Sequence, residues 1–144
     1  MKRTATANWK GTGLEGTGSL TTKSGAFKDQ PYTFKTRFQN EDGKLGTNPE
    51  ELIAAAHAGC FNMALSFRLA GAGFPATNLD TEAVVTMRNE DVHWHFDNIT
   101  LNLVGDVPGI DEAAFIELAN AAKDTCPISE ALGAVKIILN AKLA

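Results

Sequence analysis

Cys60 and Cys126 are the only cysteines in the chain, and no other pair of residues here has a wider chemical reach. Two thiols can cycle between dithiol and disulfide, ligate a metal or fill a core, and their spacing alone leaves redox chemistry and packing both open. Cys60 falls within an apolar helical run, where a cysteine usually serves as a small hydrophobe. Cys126 precedes Pro127 at a helix start, near unpaired amides and the positive end of a helix dipole, a setting that favours thiolate. On the residues alone, Cys126 is therefore the candidate activated thiol.

Two further constellations compete with the thiols. His93-x-His95 places two imidazoles on one strand face, with His57 as a possible third ligand for a metal such as zinc. Their alternation with Val92, Trp94 and Phe96 is more simply the solvent face of an amphipathic strand. Gly11-x-Gly13 and Gly16-x-Gly18 suggest a phosphate cradle but lack both the strand-loop-helix setting and the lysine of a nucleotide loop. They read as turns, and no metal or cofactor is expected.

The elements that must position these residues are legible in outline. At 144 residues the chain is expected to form one domain, and 44% hydrophobic with 21% charged residues is a globular composition. A net charge of −4 provides no basic stripe for nucleic acid or an anionic membrane surface. Polar rather than apolar residues follow Met1-Lys2-Arg3-Thr4-Ala5, so no signal peptide reads out, and with so few cysteines a cytoplasmic location is expected.

Residues 4–10 and 31–39 read as strands, the second with Tyr32, Phe34, Thr36 and Phe38 on one face and Lys35 and Arg37 on the other. Asn48 as N-cap, Pro49 at the first helical position and Glu50 and Glu51 in the first turn open a helix that runs to about residue 70, where Gly71 and Gly73 end it. Its apolar residues cover nearly the whole circumference, so burial on most sides is expected. A membrane span is the competing reading, opposed by Glu50, Glu51, His57, Asn62, Ser66 and Arg68 within the segment. Residues 81–88 and 92–104 form a predicted hairpin around Asn89-Glu90-Asp91. The apolar alternation there changes phase near Asp97-Asn98, which predicts a bulge or bend. Asp111 caps a second helix, with Ile110 and Phe115 as its hydrophobic staple. That helix stops at Cys126 before Pro127; a short helical turn through Leu132 and a strand over 135–143 complete an α+β order.

Several stretches together closely resemble the osmotically inducible protein C (OsmC) family, a sister group of the organic hydroperoxide resistance proteins. They are Thr36-Arg37-Phe38, the run Gly46-Thr47-Asn48-Pro49-Glu50-Glu51-Leu52-Ile53-Ala54-Ala55-Ala56-His57-Ala58-Gly59-Cys60, then Val107-Pro108-Gly109-Ile110-Asp111 and Cys126-Pro127. The resemblance covers nearly the whole chain in order, implies one OsmC-like domain over 1–144, and lies on the OsmC side of the two groups. It implies a cysteine-based peroxidase that reduces organic hydroperoxides, built as an intertwined homodimer with curved antiparallel sheets wrapped around long central helices. By the same resemblance Cys60 matches the peroxidatic cysteine, Cys126 the resolving one, and Glu50 and Arg37 the pair that activates the thiol. A small dithiol such as a dihydrolipoyl group is the implied reductant.

The implied chemistry has a physical logic. A free thiol with a pKa of about 8.5 is a few per cent thiolate at neutral pH, and an apolar helix should ionise Cys60 still less. A guanidinium held by a carboxylate can offset that loss and can hydrogen-bond the peroxide oxygens. Phe61, Met63 and Leu65 nearby suit an alkyl or fatty-acyl hydroperoxide. Glu50 and Cys60 lie ten residues apart on one helix, roughly 15 Å along its axis, so they can meet only across two chains. Two copies crossing antiparallel near Ala55, through the small Ala54, Ala55, Ala58 and Gly59, would create sites shared between subunits. The alternative is a noncatalytic dimer that holds an apolar ligand, with both cysteines as packing residues.

Overall fold

In the computed structural model, which describes all 144 residues, the chain divides into the units Met1–Leu52 and Ile53–Ala144. The first holds an antiparallel sheet of β1 (Ala5–Lys10), β2 (Thr17–Thr22) and β3 (Gln30–Thr33), in that order. Gly18 on β2 pairs with Trp9 on one side and Tyr32 on the other, and the two rings approach to 5.3 Å between centroids. A Cβ at Gly18 would stand 2.4 Å from the Tyr32 ring, so only glycine lets the aromatic residues close over the strand.

The expected strand over 31–39 is corrected: β3 stops at Thr33 and α1 (Phe34–Phe38) follows. The Thr33 hydroxyl accepts from the Thr36 amide at 3.1 Å, and the Thr36 hydroxyl accepts from the Thr33 amide at 2.9 Å. This reciprocal capping box starts a helix where an alternating pattern suggested a strand. Phe34 and Phe38 then meet one turn apart at 5.0 Å, and Arg37 projects from a helix.

α2 (Pro49–Gly71) has the predicted caps. Asn48 Oδ1 accepts from the Glu51 amide at 2.8 Å. At the other end Gly73 adopts φ +86°, Phe74 N–H donates to the Leu69 carbonyl at 2.9 Å, and Gly73 N–H donates to the Ala70 carbonyl at 3.1 Å. Those two bonds are the Schellman arrangement that glycine permits.

The second unit is built on β4 (Asn78–Glu90), β5 (His93–Asp106) and β6 (Lys136–Leu143), in that order. β4 and β5 form the predicted hairpin, with Asp91 at φ 59° in its turn. Thr86 faces Asn98 and Met87 faces Phe96, so Asp97 is the extra residue that the phase change predicted. It brings Ile99, Leu101 and Leu103 onto the inner face. β6 runs parallel to β5, with Ile99 opposite Ile137 and Leu101 opposite Leu139. This one parallel pairing follows from the return path through α3 (Glu112–Thr125) and α4 (Pro127–Ala131), because parallel neighbours need a crossover. The architecture is α+β.

Phe61, Leu65 and Leu69 of α2 join Ile99, Leu101, Leu103 and Phe115 in the core. Here the expectation for α2 is corrected. Only His57, Phe61, Leu65 and Leu69, one ridge at four-residue spacing, are buried, while Met63 and Phe67 stand 64% and 74% exposed. Ala55, Ala56 and Gly59 continue that exposed face. The chain's own core covers one side of a helix that is apolar all round. By length and composition α2 is also apolar enough to cross a membrane, but its buried ridge belongs to the core.

Gly105 shows how tightly that core closes. A Cβ there would lie 2.5 Å from Phe115 Cζ, and the Phe115 ring is fully buried. Gly105→Ala is expected to destabilise the fold by about 1–3 kcal/mol through overpacking, read as a lower urea midpoint at unchanged slope.

Candidate active site

Cys60 lies near the middle of α2 and Cys126 at the corner between α3 and α4. Local sequence makes the corner. Asp111 caps α3 by accepting from the Ala114 amide at 2.9 Å, and Ile110 and Phe115 of the predicted staple are both buried. Pro127 forces Cys126 out of the helical region, to φ −65° and ψ 125°, so this residue is at once the C-cap of α3 and the N-cap of α4. The corner brings the Cys126 thiol into hydrogen-bonding contact with Cys60. Both are free thiols; Cys126 is completely buried and Cys60 is half-buried.

Burial pushes the Cys60 thiol pKa up, and the hydrogen bond and proximity of Cys126 push it further in the same direction. The backbone N–H of Ile128 donates to the Cys60 sulfur and pulls the other way, but the net direction is upward. The expected desolvation of Cys60 is therefore present. Cys126, the activated thiol expected from the residues alone, is completely buried, whereas Cys60 is partly exposed.

Arg37 and Glu50 come together within Met1–Leu52. Arg37 Nη2 donates to Glu50 Oε1 at 2.6 Å, and Nε lies 3.1 Å and 3.2 Å from the two carboxylate oxygens. The Phe38 ring sits 4.8 Å from the guanidinium carbon. The contact is bidentate, so both the position and the plane of the guanidinium are fixed. α1 makes this possible by presenting Arg37 beside the first turn of α2.

The three histidines weighed as metal ligands occupy different settings. His57 is completely buried and its Nε2 lies 2.9 Å from Ser129 Oγ, whereas His93 and His95 are exposed on β5 with ring centroids 6.3 Å apart. No group of three His, Cys, Asp or Glu side chains converges to hold a metal. The glycine set forms turns, with Gly16 N–H donating to the Thr12 carbonyl at 2.9 Å. Sequence reasoning missed the His57–Ser129 pair. Its only trace there is symmetrical placement, His57 three residues before one cysteine and Ser129 three residues after the other.

Two free thiols, one half-buried and one completely buried, thus stand in contact on an α+β scaffold. The chain belongs to the OsmC-like protein family, whose sequence pattern it matches over residues 41–140. It is 46% identical to peroxiredoxin OsmC of Escherichia coli over 128 residues, which cover 89% of this chain and 87% of that protein. It is 34% identical to the organic hydroperoxide resistance protein OhrB of Bacillus subtilis over 91 residues, 63% of this chain and 65% of that one. The crystal structure of the same OhrB superposes with a TM-score of 0.74 at 28% identity, covering 96% of this chain and 98% of that one. An OsmC-like protein from Mycoplasma pneumoniae, 15% identical, shares the fold with a TM-score of 0.76 over 100% of this chain and 98% of that one. The protein is a thiol-dependent peroxidase, an oxidoreductase of antioxidant defence.

Burial lowers the His57 pKa by disfavouring the imidazolium. Unfolded, this histidine titrates near about 6.5, so its contribution to stability is complete above that pH and is lost as pH falls through the lowered folded value. Urea unfolding between pH 7.5 and 5 should show stability falling below about pH 6.5. In His57→Gln that part of the profile should flatten.

Proposed function

We propose that this protein reduces organic hydroperoxides with Cys60 as the peroxidatic thiol and Cys126 as the resolving thiol, residues 1–144 acting as one functional domain. The observation that carries the reading is the contact between an accessible and a buried thiol. Cys60 thiolate attacks the outer peroxide oxygen, the O–O bond breaks, and the alkoxide leaves as an alcohol after taking a proton. Cys60 is left as sulfenic acid. The Cys126 sulfur then attacks the Cys60 sulfur, water departs, and a disulfide forms. A dithiol restores both thiols by exchange and is itself oxidised to a disulfide.

Apolar surroundings support an alkyl or fatty-acyl substrate, with Phe61 buried next to Cys60 and Met63 exposed one turn on. The name of the related OhrB points the same way. A small dithiol such as a dihydrolipoyl group fits as reductant, because the only sulfur of the disulfide open to attack is Cys60. A cytoplasmic location would keep such a reductant supplied.

A thiol pushed up by burial needs a cation, and the fixed Arg37 guanidinium is suited to that role. Glu50 and Cys60 lie ten residues apart on the continuous α2, roughly 15 Å along its axis, so the ion pair is assigned to Cys60 of the partner subunit. The exposed apolar face of α2, from Ala55 through Gly59 and Met63 to Phe67, supports an antiparallel crossing of two such helices in a homodimer.

Turnover of cumene hydroperoxide with dihydrolipoamide tests the reading. Wild type should turn over, Cys60→Ser should not, and Arg37→Ala should lose about 10²-fold in kcat/KM. Mixing Cys60→Ser with Arg37→Ala subunits should restore activity, because one site of the mixed dimer has both groups. Activity no higher than that of Arg37→Ala alone would overturn the shared site.

A further inference from the structure

We infer that His57 with Ser129, and Arg68 with Thr125, are positioning residues that hold the Cys126 corner against α2 so that the oxidised Cys60 sulfur is resolved quickly. The inference rests on the peroxidatic reading of Cys60.

Two polar bonds tie α2 to the corner, and they bracket the thiol contact. His57 Nε2 lies 2.9 Å from Ser129 Oγ, and Arg68 Nη2 donates to Thr125 Oγ1 at 2.8 Å. Along α2, Cys60 lies between His57 and Arg68; along the corner, Cys126 lies between Thr125 and Ser129. The two segments run in opposite senses, so the clamps sit on either side of the sulfur pair. Thr125 is itself fixed, its hydroxyl donating to the Ala121 carbonyl at 2.9 Å.

The clamps differ in environment. The Arg68 bond is exposed and open to competition from water, whereas His57 and Ser129 are both buried. A buried polar group without its partner costs far more than an exposed one, so His57–Ser129 is the stronger constraint. The His57 Nδ1 is buried with no hydrogen-bond partner, which leaves the imidazole held by Ser129 alone. A buried polar pair spanning 72 residues of sequence fixes a separation that apolar packing alone would let slide.

The constraint matters at one step. When Cys60 carries sulfenic acid, the Cys126 sulfur must attack in line with the S–O bond; the S–S bond forms, the S–O bond breaks, and the oxygen leaves as water with the Cys126 proton. If the corner drifts, a second hydroperoxide can oxidise Cys60 to sulfinic acid instead, giving up its outer oxygen and leaving as alcohol. A small loss of alignment is enough to change the outcome.

The test is a single turnover with cumene hydroperoxide, following peroxide loss, sulfenic acid trapped with dimedone, and disulfide and sulfinic acid by intact mass. Ser129→Ala and His57→Leu should consume the first equivalent at the wild-type rate but form the disulfide about tenfold or more slowly. They should also accumulate sulfinic acid at peroxide levels that wild type survives. His57→Gln, whose amide nitrogen reaches where Nε2 stood, should recover most of the disulfide rate; a merely structural role would predict no such rescue. Wild-type disulfide rates in Ser129→Ala and His57→Leu, with no added sulfinic acid, overturn the inference alone. A wild type that forms no sulfenic acid on Cys60 overturns the functional reading and this inference with it.

Discussion

Contact between the Cys60 and Cys126 sulfurs is the constraint on which the rest depends. On the proposed mechanism Cys126 must already stand beside the Cys60 sulfenic acid to resolve it, so two positions distant in the chain have to be brought together and held there. Pro127 makes the first half of that possible. It ends α3 at Thr125 and leaves Cys126 in extended geometry between two helices. The core supplies the second half, with Phe61, Leu65 and Leu69 fixing α2 on the sheet while Phe115 closes over Gly105.

Bringing thiols into such a place works against their chemistry. Burial raises the Cys60 pKa, and the Cys126 thiol beside it raises it further. On the proposed mechanism such a thiol needs a compensating positive charge, the role proposed for the Arg37–Glu50 pair. A guanidinium on a flexible stem would be a poor tool for the task, since ordering it costs side-chain entropy at each encounter. Two-pronged attachment to Glu50, with the Phe38 ring against it, removes that freedom beforehand.

Sequence revealed most where a single residue type dictates backbone geometry. Asn48-Pro49 marked the start of α2, the phase change at Asp97 marked the bulge, and Cys126-Pro127 marked the corner. It misled where a short pattern satisfies two periods. Phe34 and Phe38 share a face of a strand and lie one turn apart on a helix, and the Thr33–Thr36 bonds decided for the helix. Apolarity around the whole of α2 said that it would be covered, but not which side the chain's own core would cover. The roles proposed for Cys60, Cys126, Arg37 and Glu50 come from family resemblance more than from the residues themselves. Local reasoning favours Cys126 by counting neighbouring amides, and its complete burial carries no local signal in the sequence. His57 looked like a possible metal ligand because a buried histidine bonded to a serine 72 residues away carries no signal in the sequence that distinguishes it.

Whether these two thiols form one redox unit, as proposed, is read by treating reduced protein with one equivalent of cumene hydroperoxide and determining intact mass, free thiols and the non-reduced peptide map. Both thiols should be lost, the mass should fall by two hydrogens with no oxygen gained, and a peptide should appear in which Cys60 is joined to Cys126. Two thiols that remain titratable, or oxygen added to Cys126 while Cys60 stays reduced, would contradict it.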